Sequence, residues 1–461
     1  MQKDNAFLGT ERIGKLLFQL AIPTVAAQMV NMLYNVVDRI YIGHMPGDGD
    51  LALTGVGICM PLIMIVSAFA ALISSGGAPR ASIFMGRGDK ESAEKTLGSC
   101  FALQVIMSAV LTVVLLLWSE DLLLSFGGSE NTIGYAVDYM RIYAMGTIFV
   151  QLTLGMNAYI TAQGFAKMGM LTVVIGAACN IALDPLFIFV FDMGVRGAAL
   201  ATILSQGVSC LWVLSFLCGR KTILRIKREN LRLDGRIILP CLALGLAPFI
   251  MQSTESLISV CFNSSLLKYG GDTAVGAMTI LTSVMQFVFL PMQGLGQGAQ
   301  PITSYNYGAG NAERVKETFF LLLKVSLGYS MVMWGLIELF PQTFAAIFTP
   351  DPTLQTFAAK MLRIYCGGLG IFGAQMACQM TFVAIGYAKS SVIVAVMRKI
   401  VLLIPLIYLM PAIFTADKTR AVYMAEPVAD VLAVAFTVAL FSVQFGRVMR
   451  ELRGKGQRLP E

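Results

Sequence analysis

Four side chains with oxygen atoms suited to binding a small cation lie in otherwise apolar stretches of the first half of the chain. They are Asp38, Asn180, Asp184 and Thr202. Asn180 precedes Asp184 by four residues, so a helix places both on one face. If these stretches cross a membrane, all four groups lie at similar depth. Such a group can coordinate Na⁺ or exchange protons, because two nearby carboxylates raise each other's affinity for a proton.

The acids that interrupt apolar stretches in the second half of the chain include Glu255, Glu426 and Asp430. Glu255 either attracts a positively charged group of a bound molecule or is held by neighbouring hydroxyl and amide side chains, and both interpretations stay open. Glu426 and Asp430 are four residues apart, and we predict that they form a helix-packing pair. An ionisable residue in a membrane span is costly to insert, so a functional role is the default hypothesis for such acids.

Membrane helices must position these residues. The chain has 461 residues, of which 56% are hydrophobic and 13% charged, with a mean hydropathy of +0.73. A soluble domain keeps about a quarter of its residues charged, so an ordinary soluble enzyme is excluded. High hydrophobicity also excludes a disordered chain. We predict an all-α integral membrane protein, because a helix needs roughly 20 apolar residues to cross the bilayer.

Apolar runs separated by short polar loops predict twelve such helices. The predicted spans are 16–42, 54–79, 96–118, 132–162, 168–191, 197–218, 237–267, 274–304, 317–340, 354–386, 390–414 and 420–446. The polar start of the chain leads into a full-length apolar segment without a small-residue cleavage site. We therefore expect a first membrane helix there and not a cleaved signal peptide.

Basic residues fall mainly on one side of this arrangement. The side with the N-terminus, the basic segment 219–236 and the basic tail holds 25 of them, and the other side holds 3. Arg398 and Lys399 are among the 25. The positive-inside rule then predicts cytoplasmic termini and, without an organelle signal, a plasma (inner) membrane. The net charge of +7 does not indicate nucleic-acid binding, because the charges lie in the gaps between apolar runs.

The two halves of the chain repeat. A shift of 222 residues superimposes four short motifs: AP at 78–79 on QP at 300–301, GRGD at 86–89 on GAGN at 308–311, RIY at 141–143 on RIY at 363–365, and GFAK at 164–167 on GYAK at 386–389. We predict a first six-helix lobe (1–218), a linker (219–236), a second lobe (237–446) and a tail (447–461). Six helices per copy give a parallel repeat about an axis along the membrane normal, with a cleft between the lobes.

Enzymatic and metal-binding alternatives find little support in the sequence. The nine cysteines form no C-x-x-C pair and have no histidine at ligand spacing, so we interpret them as packing residues. No nucleophile–base constellation or ATPase motif is present. We expect no cofactor, and any transport would draw on an ion gradient.

At this point the sequence resembles the multidrug and toxic compound extrusion (MATE) family over nearly its whole length. The motifs that carry the resemblance are AIP at 21–23, LYNVVD at 33–38, YIG at 41–43, NIALDP at 180–185, GVRGAALAT at 194–202 and the Pro-to-Gly-x-Gly loops at 79–88 and 301–310. Each motif is short, but their order and the twelve-helix repeat make the match specific.

The resemblance implies a V-shaped protein that exports organic, often cationic and amphipathic compounds by alternating access. Its coupling ion would be H⁺ or Na⁺, and the family's cation site falls on the same four residues, which would be metal ligands only if the ion is Na⁺. One branch of the family carries a coupling acid near Glu255, usually with a partner acid on the tenth helix. Residues 364–388 contain no such partner.

We predict that Asn31, Tyr34, Tyr139 and Asn157 line the substrate cavity, with methionine and phenylalanine forming its apolar wall. The 27 Met and 28 Phe of the chain permit such a wall. A flippase for lipid-linked precursors is the main alternative. It would need several interior basic residues, and those expected inside are few (Arg39, Arg141 and Arg363). A non-transporting scaffold is a third, weaker alternative, and the two-lobe design allows a working monomer.

Overall fold

The structure, a computed structural model, describes residues 6–45 and 49–456. All regular elements in these ranges are helical. The first lobe consists of α1 (Ile13–Gly43), α2 (Gly49–Gly86), α3 (Lys90–Ser125), α4 (Ile133–Met145 and Thr147–Ala162), α5 (Ala166–Pro185, continued by the π-helical turn Leu186–Val190) and α6 (Gly194–Cys218).

The second lobe has the same number of membrane helices. They are α7 and α8 (the stretch Gly235–Gly308), α9 (Ala312–Leu339), α10 (Pro352–Tyr365 and Leu369–Ala384, joined by the 3-10 turn Cys366–Gly368), α11 (Ala388–Val396, the π-helical Met397–Leu403 and Ile404–Ile413) and α12 (Lys418–Gly456). Gly271 separates α7 from α8, because its φ of 64° and ψ of −162° cannot belong to a helix. Short helices occupy Ala6–Thr10, Arg228–Asn230 and Pro341–Ala346.

The number of membrane helices confirms the sequence prediction. In the described ranges, nine helical stretches are long and apolar enough to cross a membrane. One of them contains both α7 and α8, while α4 and α10 are each broken into two shorter helices. These account for twelve helices in two lobes, and the chain is a multi-pass membrane protein.

The predicted repeat is visible in the backbone. Gly88 and Gly310 both have positive φ, at 76° and 73°, and so do Gly164 and Gly386, at 88° and 80°. Each pair is separated by 222 residues. The next position in the first two loops caps a helix in both copies: the Asp89 and Asn311 side chains accept from backbone N–H groups three residues ahead, at 3.0 and 3.4 Å.

The lobes meet along a seam where backbone touches backbone. A Cβ atom added to Gly86 would overlap the carbonyl of Tyr305, and one added to Gly308 would overlap the carbonyl of Ile83. These two contacts exchange under the 222-residue shift, so they are related by the pseudo-two-fold axis. α2 and α8 therefore pack closely at the ends where the Gly-x-Gly loops follow them.

Two further pairs extend the seam. The α-carbon of Val25 on α1 leaves no room for a Cβ on Gly294 of α8, and the carbonyl of Leu72 on α2 leaves none on Gly245 of α7. Along this seam the two lobes are in direct backbone contact, with no space between them.

The segment between the lobes is anchored to the first of them. The Gln163 Oε1 atom accepts from the backbone N–H groups of Ile223 and Leu224, both at 2.8 Å. Lys227 pairs with the buried Glu94 at 2.5 Å. The domain limits remain a prediction, and Lys3 and residues 457–461 of the basic tail lie outside the described residues.

Candidate functional site

The first lobe brings three of the four predicted cation-binding residues into direct contact. Asp38 on α1 is 7% exposed, and Asn180 and Asp184 on α5 are fully buried. The Asn180 amide donates a hydrogen bond of 3.3 Å to Asp184 Oδ1. The carboxyl group of Asp38 lies near that of Asp184. We call Asp38, Asn180 and Asp184 the acid site.

The acid site contains oxygen atoms that have no partner among the described residues. These are Asp38 Oδ1, Asn180 Oδ1 and Asp184 Oδ2, all inaccessible to solvent. A buried polar atom without a partner is costly unless a ligand, proton or water satisfies it. Oxygen atoms of carboxylate and amide groups suit a proton or a small hard cation. The residues present therefore fit the predicted coupling ion.

The local fold of α5 follows from Pro185, which stands directly after Asp184. Proline lacks a backbone N–H, so the carbonyl of Ile181 loses its usual helical donor. The π-helical turn Leu186–Val190 begins at the next residue. Turns of this kind occur often at functional sites, because they re-aim the side chains beside them.

Thr202 and two tyrosines surround the acid site without completing it. The Thr202 hydroxyl donates to the carbonyl of Ala198 on its own helix at 3.0 Å and makes no hydrogen bond to the acid site in the described residues. Tyr139 lies beside Thr202 and near Asp38. Tyr34 lies near both carboxyl groups, one turn before Asp38. The two tyrosines therefore belong to the surroundings of the acid site.

A central cavity of about 370 Å³ lies between the lobes, next to the seam. Residues of α1, α2, α4 and α5 line one side and residues of α7 and α8 the other. Asn31 and Asn157 are among the residues that line it, whereas Tyr34, Tyr139 and Glu255 are not among the described lining residues. Along α1 the acid site begins two turns beyond Asn31, a distance of roughly 10 Å.

The wall of the central cavity differs from the expected apolar one. Sixteen of its 27 described lining residues are glutamine, asparagine, serine or threonine. Among the described lining residues, Met170 is the one methionine and none is a phenylalanine. The expectation of a Met and Phe wall is wrong for this cavity, because most of those residues pack inside the lobes or face lipid.

Comparison with known proteins agrees with this architecture. The MatE family model matches residues 23–186 and 248–409, more than half of the chain. The chain belongs to the MATE family. The multidrug export protein MepA of Staphylococcus haemolyticus is 21% identical over 430 residues, covering 93% of this chain and 94% of that protein. MepA of Staphylococcus aureus is 21% identical over 403 residues, covering 87% and 88%.

Solved structures of MATE proteins have the same fold. A crystal structure of a MATE protein in the bent conformation superimposes with a TM-score of 0.91 at 24% identity, covering 98% of this chain and all of the other. An outward-facing multidrug resistance MATE transporter gives 0.90 at 24% identity, covering 97% and 98%. A MOP superfamily transporter from Pyrococcus furiosus, described as having a binding pocket of reversed polarity, gives 0.89 at 24%, with the same coverage.

In this MATE protein the second lobe carries buried cations that the sequence analysis misplaced. Arg398 and Lys399 were counted as cytoplasmic, but both lie within α11, in its π-helical stretch, and are 4% and 6% exposed. Without them the cytoplasmic count falls from 25 to 23. The expected interior cations, Arg39, Arg141 and Arg363, are instead exposed.

The second-lobe acids are the partners of these cations. Arg398 bonds Asp430 at 2.8 and 2.9 Å and Glu426 at 3.1 Å. Lys399 bonds Glu255 at 2.5 Å. We call these five residues the charge network. Glu426 and Asp430 are thus joined through Arg398, and Glu255 is held by a lysine and not by its hydroxyl and amide neighbours.

The sequence contained a signal for the charge network. Arg398 and Lys399 stand nine and ten residues inside the predicted eleventh span, where basic side chains are as costly as acidic ones. Two acids one turn apart on the next span offered them partners. Insertion cost alone indicates that Arg398 and Lys399 lie inside the span and need acidic partners, but it does not show which acid each of them bonds.

Proposed function

We propose that this MATE protein is a secondary antiporter that exports organic compounds in exchange for H⁺ or Na⁺. One observation carries the proposal: a buried carboxyl pair with unpartnered oxygen atoms lies about two turns from a cavity between the lobes. The names of the relatives, multidrug export proteins, support the export of organic compounds. We place the protein in the plasma membrane as a monomer, with both termini in the cytoplasm.

The mechanism rests on helices that the two sites share. Asn31 lines the cavity and Asp38 belongs to the acid site, and both are on α1. On α5, Thr172 lines the cavity and Asp184 belongs to the acid site. A cation that bridges the two carboxyl groups holds α1 against α5, and this changes the shape of the cavity wall.

Coupling requires that the ion bind the two transport states with different affinities. Equal affinities would shift nothing, however tightly the ion bound. Asp38 and Asp184 repel each other when both are ionised. The arrangement in which α1 and α5 hold the two carboxyl groups together is therefore favoured when a proton or Na⁺ lies between them. We propose that this arrangement disfavours bound substrate and that substrate release follows from it.

A lipid-linked-precursor flippase finds less support. A pyrophosphate would need free basic side chains in the cavity, and the described lining contains none. The buried cations Arg398 and Lys399 are already bonded to acids.

Ion binding by purified protein tests the proposal without knowledge of the substrate. We expect wild type to show either ²²Na⁺ binding or proton uptake, the latter measured by difference titration. Asp38→Asn and Asp184→Asn should each abolish the one that wild type shows. Asp121→Asn is the matched control, because Asp121 is exposed at the end of α3. Ion binding that persists unchanged in both variants would overturn the proposed coupling site.

A further inference from the structure

The central cavity has a chemical character that the family assignment does not supply. Among its described lining residues there is no acidic, basic or aromatic side chain. The nearby Arg80 faces Cys100 and Cys241 and does not line the cavity. The cavity therefore offers neither a counter-charge nor a ring face to a bound molecule.

Carboxamides dominate the polar part of the wall. Five glutamines and two asparagines line the cavity: Gln28, Gln252, Gln293, Gln297, Gln300, Asn31 and Asn157. Gln28 donates to Gln297 at 3.1 Å, which orients that pair across the lobe interface. Each carboxamide presents a donor and an acceptor side by side.

Most of these amides are free to bind a ligand. The side chains of Asn31, Gln252, Gln293 and Gln300 make no hydrogen bond to any described group. The Asn157 Oδ1 atom is buried without a partner, although its amide nitrogen donates to the carbonyl of Gly169 at 3.3 Å. The wall thus has hydrogen-bond donors and acceptors that are not used within the protein.

The hydroxyl groups of the wall complete the pattern as acceptors. The Ser67 hydroxyl donates to the carbonyl of Ile63 at 3.0 Å, and the Ser74 hydroxyl donates to that of Ala70 at 2.9 Å. Their protons are used by the helix, so the oxygen lone pairs remain for a ligand. A wall of acceptors alone would suit a cation. The free amide N–H groups next to these acceptors carry partial positive charge, which disfavours a cation.

We propose that the cavity selects uncharged solutes rich in hydroxyl and amide groups over lipophilic organic cations. This inference rests on the proposed export function and names its substrate class. A hydroxyl- or amide-bearing solute exchanges its water hydrogen bonds for those of the wall, whereas an apolar one would cover the wall amides and leave them unpaired. A planar cation gains neither a charge partner nor ring stacking here.

Equilibrium binding to purified full-length protein tests the proposal. The neutral probes are tritiated uridine and N,N′-diacetylchitobiose, which combine hydroxyl groups with amides, and the cationic probe is tetraphenylphosphonium. We expect wild type to bind the neutral probes more tightly. The double variant Gln293→Leu/Gln300→Leu removes two free amides and should weaken neutral binding about tenfold.

Two further variants control this measurement. Gln19→Leu is the matched control, because Gln19 is exposed on α1 away from the cavity lining. Gln293→Glu adds a counter-charge of nearly the same shape and should raise tetraphenylphosphonium binding about tenfold while weakening the neutral probes.

Tighter binding of tetraphenylphosphonium than of both neutral probes by wild type would overturn the proposal, and so would the absence of neutral binding. Ion binding at the acid site, measured on the same samples, is a separate test of the proposed function. A protein that binds its ion at Asp38 and Asp184 but prefers the cationic probe would keep the antiporter function and lose the neutral substrate class.

Discussion

At the scale of single residues, the molecule separates two kinds of buried charge. The acid site in the first lobe has unpartnered oxygen atoms, whereas the buried acids Glu426 and Asp430 of the second lobe are bonded to Arg398. A free carboxyl pair can bind and release an ion, whereas a carboxylate bonded to a guanidinium is already neutralised by it. The proposed coupling therefore resides in the first lobe.

The charge network is expected to be structural, and Arg398→Met tests this. Removing one partner of a buried ion pair leaves the others uncompensated and costs roughly 3–5 kcal/mol. We expect a clear fall in the melting temperature of the detergent-solubilised protein. The triple variant Arg398→Met/Glu426→Gln/Asp430→Asn removes all three of these charges and leaves only the Lys399–Glu255 pair, so it should recover most of the loss. A triple variant as unstable as the single one would contradict this role.

Residue-level prediction from the sequence succeeded where the signal was local. Asn180 and Asp184 share a helical face because of their four-residue spacing, and the structure places them in contact. The partners of Glu255 and Glu426 could not be predicted in this way, since they depend on how α7, α11 and α12 pack. Tyr34 and Tyr139 were placed in the cavity although the structure turns them towards the acid site.

At the scale of helices, the seam is the feature most directly tied to alternating access. Gly86 and Gly308 allow the backbones of α2 and α8 to touch, and the pseudo-two-fold axis repeats the contact. The sequence showed the repeat through its paired motifs. It could not show that the same glycines close the lobes, because this depends on which helices face each other across the axis.

Widening the seam should expose Cys241 of α7, whose carbonyl lies where a Cβ on Gly76 of α2 would be. Gly86→Val and Gly308→Val place side-chain atoms where backbone now lies, and overpacking of this kind costs about 1–3 kcal/mol. We expect the rate of maleimide labelling at Cys241, which is 1% exposed, to rise about tenfold in each variant.

Labelling needs a background without the accessible Cys179 and Cys218. Gly57→Val is the control, because a Cβ at Gly57 on α2 would meet no other atom within 4 Å. Equal labelling in the seam variants and the control would show that these glycines do not hold the lobes together.

At the scale of the whole molecule, composition and repeat were enough to predict twelve helices in two lobes. The breaks within α4 and α10 were not predictable, because they depend on local backbone geometry in an apolar sequence. The charge bias survives the removal of Arg398 and Lys399, at 23 against 3 basic residues.

That bias makes a prediction about orientation. A reporter active only in the cytoplasm should be active when fused after the C-terminus or inserted in the 219–236 linker. It should be inactive when inserted near residue 416, in the loop between α11 and α12. Activity at all three positions, or the reverse pattern, would contradict cytoplasmic termini.

The most direct test of the central claim is export from proteoliposomes under an imposed pH gradient and, separately, an imposed Na⁺ gradient. The panel would contain ethidium, tetraphenylphosphonium, uridine and N,N′-diacetylchitobiose, and the proteins would be wild type, Asp38→Asn, Asp184→Asn and Asp121→Asn. We expect one of the two gradients to drive export by wild type and by Asp121→Asn. Both acid-site variants should lose about tenfold or more of that rate, the scale of a coupling free energy of roughly 1–3 kcal/mol. Gradient-driven export that is undiminished in both variants would contradict the account.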